Sequence, residues 1–297
     1  MIKTVLLTGG SGFIGKNIKE SFCVNKYKLL TPTSKELDLT NDSSVDEYFK
    51  RYKMDVVIHC ACKPGHRNAK DPDGVFFANT KMFFHLVKHL DKYDRLINIG
   101  SGSIYDSRNY APKMKEDYFG VHVPQDELGF SKYVCGKYIE NLGVNKVVDL
   151  RVFGVFGKYE DYAIRFISNA ICKTIFDLPI TVKQDRYFDY ICVDDLIKIL
   201  DRFIEHNFTY NSYNVTPDNS VPLCKIAEYV RKISGKDLPI VVGQKGFGME
   251  YSGDNARLHS EIKDVKFSNI EHKIKELYDW YLYNKELLDK NLLLVDK

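Results

Sequence analysis

No stretch of this 297-residue chain approaches the ~20 consecutive apolar residues that a transmembrane helix needs, so no membrane span is expected. An excess of one charge is also missing. The 43 basic and 40 acidic residues leave a formal charge of only +3, which gives no electrostatic case for nucleic acid. The seven cysteines include no Cys-x-x-Cys pair, and no metal site is expected. Their odd number, with no signal segment ahead of them, reads as a reduced, cytoplasmic protein. The first apolar run stops at Thr8-Gly9-Gly10, short of a secretory core. Internal repeats and low-complexity tracts are absent. What remains is 44% hydrophobic and 28% charged, the composition of a folded protein. The length suits one large domain, or a large domain with a small partner.

Strand-like and helix-like segments alternate through the first half. Thr4 to Leu7, Tyr27 to Leu30, Asp55 to Ala61, Arg95 to Ile99 and Lys146 to Phe156 read as strands. Cys60 and Cys62 alternate within an apolar run there as buried core residues would. Phe13 to Phe22, Asp42 to Tyr52, Val75 to Leu90 and Tyr133 to Leu142 read as helices. Apolar strands without alternation, separated by helices, predict a parallel sheet covered on both faces. Right-handed crossovers make that a doubly wound α/β fold. Residues 1–160 with about 187–217 form the expected dinucleotide-binding domain. Residues 161–186 and 218–297 form a smaller substrate-binding region. Leu277 to Leu294 reads as a packing helix.

Gly9, Gly12 and Gly15 fall between the first strand and the first helix. In a dinucleotide site Gly9 permits the tight turn, and Gly12 lets the pyrophosphate approach the backbone. Gly15 lets the helix pack on the sheet. With Phe13 and Ile14 they form the expected cofactor-binding turn, pyrophosphate at the helix N-terminus. An ordinary glycine-rich β-α turn is the alternative.

Ser101 follows the fourth strand, at the sheet end where ligands bind. Tyr133 and Lys137 are four apart on a helix, so phenol and ammonium project together. A neighbouring ammonium favours the phenolate, which would make Tyr133 a usable acid or base. The same spacing recurs at Tyr281 and Lys285, where position favours packing.

Together these residues resemble the extended short-chain dehydrogenase/reductase family. Leu37-Asp38-Leu39 is similar to its adenine-holding segment, and His59-Cys60-Ala61-Cys62 to its "H-x-A-A" strand end. Asn79-Thr80 resembles the Asn-Val/Thr of its next helix. Asp149 to Gly157, Asp189 to Leu196 and Tyr213-Asn214-Val215 resemble further segments in order. The resemblance implies a Rossmann fold, catalytic Ser101, Tyr133 and Lys137, and cofactor contacts from Asp38, Leu39, Cys60, Ala61, Asn79, Tyr133 and Lys137. It also implies a nucleotide-sugar substrate and a homodimer. The path from Leu30 to Leu39 is nearest in type to 4-keto-6-deoxy-sugar reductases. Phe188 stands where the family carries a diphosphate-binding arginine, leaving Arg165, Arg186 and Arg257 as candidates for substrate binding. Ser103 stands where epimerising relatives carry a cysteine, and is a further substrate-contact candidate.

The expected reaction is therefore NADPH-dependent reduction of a C4 ketone. A 4-epimerase with tightly held NAD is the alternative, and a non-catalytic nucleotide-binding protein is a third reading. NADP(H) is chosen over NAD(H) because no acid ends the second strand and Lys35 could meet a 2′-phosphate. A solvated Lys35 is the competing reading.

Overall fold

The computed structural model describes residues 2–21, 23–65 and 72–294. In chain order its elements begin β1 (Thr4–Thr8), α1 (Phe13–Glu20), α2 (Cys23–Lys26), β2 (Lys28–Leu30), α3 (Asp42–Arg51), β3 (Val56–His59), α4 (Val75–Val87) and β4 (Arg95–Ile99). There follow α5 (Glu127–Asn141), β5 (Val147–Val152), β6 (Gly154–Phe156), α6 (Phe166–Ile175), β7 (Ile180–Asp185), β8 (Tyr187–Phe188), β9 (Tyr190–Cys192) and α7 (Val193–Glu205). The chain ends with β10 (Ser212–Val215), β11 (Val221–Pro222), α8 (Leu223–Ser234), β12 (Ile240–Phe247), α9 (Ala256–Glu261) and α10 (Ile270–Tyr283).

Six strands form one parallel sheet in the order β10-β5-β4-β3-β1-β2. Strand side chains alternate between faces, and here each face has its own core. Val5, Leu7, Ile58, Ile97 and Leu150 point into one, with the inner face of α7. Leu6, Val57, Leu96 and Val147 point into the other, with α3, α4 and α5. That two-sided burial is why these strands read as continuous apolar runs. After β2 the chain returns to the far side of β1 as β3, so the order reverses there. The crevice at the carboxyl ends of β1 and β3 is the switch point where such sheets take ligands.

A third core joins α6, β7, α8 and α10. β12 runs parallel to β7, β11 pairs antiparallel with β8, and β6 pairs parallel with β9. The smaller region is not one continuous tail, because Leu258 and Ile262, in and just after α9, pack back into the first core. Three boundaries depart from the sequence reading. The strand read as Lys146 to Phe156 breaks at Phe153, and its second half pairs with β9 instead of the main sheet. Helix α5 starts earlier than Tyr133, where the Asp126 carboxylate accepts from the Gly129 N–H at 2.7 Å. The tail helix ends at Tyr283, followed by two single 3₁₀ turns. Phe22, expected to close the first helix, lies outside the described residues.

Candidate active site

The glycine turn is built by close contact. Gly9 has φ +69°, and a β-carbon there would lie 2.6 Å from the Ala61 nitrogen. Only glycine lets β1 and the β3 loop approach so closely. A β-carbon on Gly15 would lie 2.3 Å from the Gly9 carbonyl oxygen, so α1 rests directly on the turn. Gly12 differs: a β-carbon there would meet only the Gly9 carbonyl oxygen, at 3.4 Å. That side is otherwise open, and among the described residues no side-chain hydrogen bond caps α1. The first N–H groups of α1 are therefore available to an anion. Phe13 and Ile14 pack half-buried on the first core and anchor that turn. This cradle fits the pyrophosphate of a dinucleotide.

The flanking loops complete the pocket wall. Cys60 and Ala61 are half-buried beside Gly9, but Cys62 is exposed, not a core residue, because β3 has already ended at His59. His59 is fully buried and its pKa is pushed down to about 3 by desolvation, so the ring is neutral beside the Thr8 hydroxyl. Asn79 uses its amide on the loop backbone. Its carbonyl oxygen accepts from the Lys63 N–H at 2.7 Å, and its NH₂ donates to the Lys63 carbonyl. It holds the wall from behind. Leu37 and Leu39 are buried in the second core, while the Asp38 carboxylate accepts from the Thr40 N–H and hydroxyl. Lys35 is exposed in the turn after β2. Glu36, the first acid after that strand, is exposed, and its carboxylate accepts from the Thr33 N–H and hydroxyl at 2.8 and 2.9 Å.

Ser101 lies just beyond β4 and opens a 3₁₀ turn, Gly102–Tyr105. Its Oγ accepts from the Ser103 N–H at 3.1 Å and from the Ser103 hydroxyl at 3.0 Å. Two acceptor positions are filled from below, so the Ser101 O–H remains to donate elsewhere. Ser103 thus orients Ser101. Beneath the turn a Gly102 β-carbon would meet the Tyr251 hydroxyl at 2.3 Å, so glycine lets this floor close.

Tyr133 and Lys137 share the α5 face as their spacing requires, with the ammonium 5.9 Å from the phenol ring centre. Tyr133 is half-buried and packs edge-on to Phe119 at 5.1 Å. Its hydroxyl has no hydrogen-bond partner among the described residues. Lys137 is turned towards Glu140, at 3.0 Å, and lies over the Phe119 ring at 4.3 Å. The same Glu140 carboxylate accepts from Arg151 at 3.3 Å. Arg151 is fully buried, reaches Asp149 and Tyr105, and lies 4.3 Å from the Phe119 ring centre. Sequence spacing could not show this ion network, because its members come from α5, β5 and the loop before α5.

Lys132, which the sequence reading passed over, behaves differently. Its ammonium donates to the Ile99 carbonyl at 2.9 Å, at the carboxyl end of β4. The signal available was its place beside Tyr133.

The arginine candidates separate. Arg257 is held by Asp117 at 3.0 Å, by Glu116 at 3.7 Å and over Tyr210. Arg165, ahead of α6, and Arg186, between β7 and β8, have no ion pair among the described residues. Tyr281 is buried, with its hydroxyl 3.4 Å from the Glu160 carbonyl, as a packing residue would be.

A doubly wound parallel sheet with a phosphate-sized cradle at its switch point, and hydroxyl, phenol and ammonium groups beyond β4, define a Rossmann-type dinucleotide-dependent enzyme. The family is shown directly: residues 5–216 match the model of the NAD dependent epimerase/dehydratase family, and the chain belongs to it. This bears out the extended short-chain dehydrogenase/reductase resemblance and the reading as an NAD(P)-dependent enzyme. Among curated relatives, GDP-L-colitose synthase of Yersinia pseudotuberculosis is 34% identical over 105 residues. That stretch covers 34% of this chain and 34% of the relative. GDP-L-fucose synthetase of Naegleria fowleri, solved bound to NADP, superposes with a TM-score of 0.81 at 16% identity, covering 96% of this chain and 94% of that one. UDP-glucose 4-epimerase of Thermotoga maritima, solved with UDP-glucose, gives 0.81 at 16%, covering 96% and 100%. Among the described residues no helix is long and apolar enough to cross a membrane.

Proposed function

We propose that this protein uses NADPH to reduce the C4 ketone of a nucleotide-linked 4-keto-6-deoxy sugar. The observation that carries the reading is Ser101: a hydroxyl held by two donors from Ser103, its own hydrogen left to donate, beyond β4 at the sheet end that also carries the dinucleotide cradle. The bound dinucleotide supplies the hydride. Ser101 then hydrogen-bonds the ketone oxygen, which gains negative charge as the carbon is reduced. Tyr133, its hydroxyl unengaged among the described residues, supplies the proton to that oxygen. Arg165 or Arg186 pairs with the substrate diphosphate, since Arg257 is already neutralised. The names of the colitose and fucose enzymes among its relatives support a GDP-linked deoxysugar.

The cofactor reading rests on β2. No acid closes that strand, and the first acid after it, Glu36, is engaged by the Thr33 N–H and hydroxyl, which supports NADP(H). Exposed aromatic side chains on α4 and α5, Phe77, Phe130 and Tyr138, support a homodimer through that face. All seven cysteines are free, which supports a reducing, cytoplasmic setting.

The second reading, a 4-epimerase with a retained dinucleotide, is favoured by the full-length superposition on the Thermotoga enzyme. One experiment separates them. Nucleotide-linked 4-keto-6-deoxy sugars are incubated with NADPH in deuterated water and the product is read by NMR. Reduction consumes one NADPH per sugar and leaves C3 and C5 free of deuterium, because Ser103 offers no thiolate to exchange those protons. Deuterium at C3 or C5, above spontaneous exchange, refutes reduction without epimerisation. Conversion without net NADPH use establishes the second reading.

A further inference from the structure

Helix α5 carries two lysines near the sheet, and the structure sends them to different places. Lys137 is directed into the network with Glu140, the Phe119 ring and, through Glu140, the buried Arg151. It also lies against Gly120, whose β-carbon would meet the Lys137 ammonium at 2.6 Å. Lys132 reaches the sheet's ligand-binding end, 2.9 Å from the Ile99 carbonyl and two residues before Ser101. Its charge is felt at His59 and Cys60 at the end of β3, and at Asp149 in β5. It therefore sits over the mouth of the sheet between β3 and β5. Leu128, one turn earlier on the same helix face, is apolar, so Lys132 has no phenol partner at i−4.

The distances across the sheet fit a ligand role. The phosphate cradle stands at β1, and β4 is two strands away in the order β4-β3-β1. Neighbouring strands lie about 4.8 Å apart, so Ile99 is roughly 10 Å from the cradle. That is the reach of the nicotinamide riboside beyond the pyrophosphate. An ammonium there, with one donor on a backbone carbonyl, has two further donors for ribose hydroxyls.

We propose that Lys132, and not Lys137, is the lysine of the cofactor pocket: it donates to the ribose beside the nicotinamide, while Lys137 is a structural member of the Glu140–Arg151 network. This rests on the dinucleotide reading above. It revises the assignment expected from the Tyr133-x-x-x-Lys137 spacing.

The test is equilibrium binding, read by NADPH fluorescence, with thermal melting of every variant. Lys132→Met should weaken NADPH at least ~10-fold, the scale of a lost charge-assisted hydrogen bond. Lys132→Gln keeps a donor for the Ile99 carbonyl and loses the charge. It should bind NADPH more weakly too, which a purely structural role at Ile99 would not produce, and it keeps the test open if the Met variant fails to fold. Adenosine 2′,5′-bisphosphate lacks the nicotinamide riboside, and both variants should bind it as the wild type does. Lys137→Met should keep NADPH affinity within about twofold and lose thermal stability instead. Wild-type affinity in both Lys132 variants, or loss in Lys137→Met alone, overturns the assignment while the cofactor reading stands. A wild-type protein that binds neither NADPH nor NADH overturns both.

Discussion

Gly12 and Gly15 lie three residues apart in one turn, and the structure gives them opposite failure modes when each is changed to alanine. At Gly15 the new methyl would sit 2.3 Å from the Gly9 carbonyl oxygen and 2.7 Å from the Gly10 α-carbon. Ordinary contact starts about 1 Å further out, so α1 must slide off the turn or the turn must open. Alanine gains about 1 kcal/mol of helix propensity over glycine, but overpacking against backbone costs about 1–3 kcal/mol or more. We expect a net loss of roughly 1–2 kcal/mol, a fall in Tm of about 2–8 °C for a domain of this class. At Gly12 the backbone is ordinary, φ −80° and ψ 179°, and the methyl meets only one atom, at 3.4 Å. Restricting the unfolded chain offsets the weaker N-cap, so stability should move by less than about 1 kcal/mol. The methyl then projects where the pyrophosphate approaches, and dinucleotide affinity should fall at least ~10-fold, about 1.4 kcal/mol. The assay is differential scanning fluorimetry of both apoproteins, followed by titration with NADPH. A Gly12→Ala protein that melts as low as Gly15→Ala yet binds NADPH normally would refute the assignment of Gly12 to the ligand side.

Three further outcomes follow from the same geometry. Tyr133→Phe should cut turnover at least ~100-fold with little change in NADPH binding, whereas Tyr281→Phe, which loses buried packing-region contacts to the Glu160 carbonyl and Ser168, should leave turnover near wild type; comparable losses would refute Tyr133 as the proton donor. NADPH should bind more tightly than NADH, and Lys35→Ala should narrow the gap in a direct titration; tighter NADH binding would overturn the cofactor choice and leave the fold untouched. Asp189 is fully buried beside the Thr216 hydroxyl and the Gly253 N–H, and desolvation raises its carboxyl to about 6 from 3.8. The folded state therefore holds this proton longer than the unfolded state, so Asp189 lowers stability as pH rises from about 4 to about 6, and the loss levels off above that. Asp189→Asn should melt progressively higher relative to wild type across that window and by a constant margin at pH 7 and above; a flat difference from pH 4 to 7 would show that the carboxyl is not perturbed.

The fold was legible because its determinants are local. Apolar strands of three to six residues, separated by helices, specify a parallel sheet by burial alone, and the turn from Gly9 to Gly15 carries its own steric requirement. The break at Phe153 was not legible. Its apolar run is continuous, and only the partner strand β9 decides that Gly154–Phe156 leaves the main sheet. The exposure of Cys62 likewise depends on where β3 loses its neighbours, which alternation cannot report.

At the site, sequence spacing identified the carboxyl-end serine and placed phenol and ammonium on one helix face, since a helix repeats every 3.6 residues whatever surrounds it. Chemical role depends on which groups the rest of the chain brings near. Glu140 and Arg151 draw Lys137 aside, and the Ile99 carbonyl draws Lys132 to the mouth of the sheet. Asp117 and Glu116 neutralise Arg257, and Ser103 turns to support Ser101. The amino-acid sequence by itself determined the sheet, the phosphate cradle and the family, because these rest on short-range periodicity and backbone sterics. Which ammonium, guanidinium and hydroxyl face the ligand was decided only in the tertiary structure, because electrostatic and hydrogen-bond partners are set by through-space distances between residues far apart in the chain.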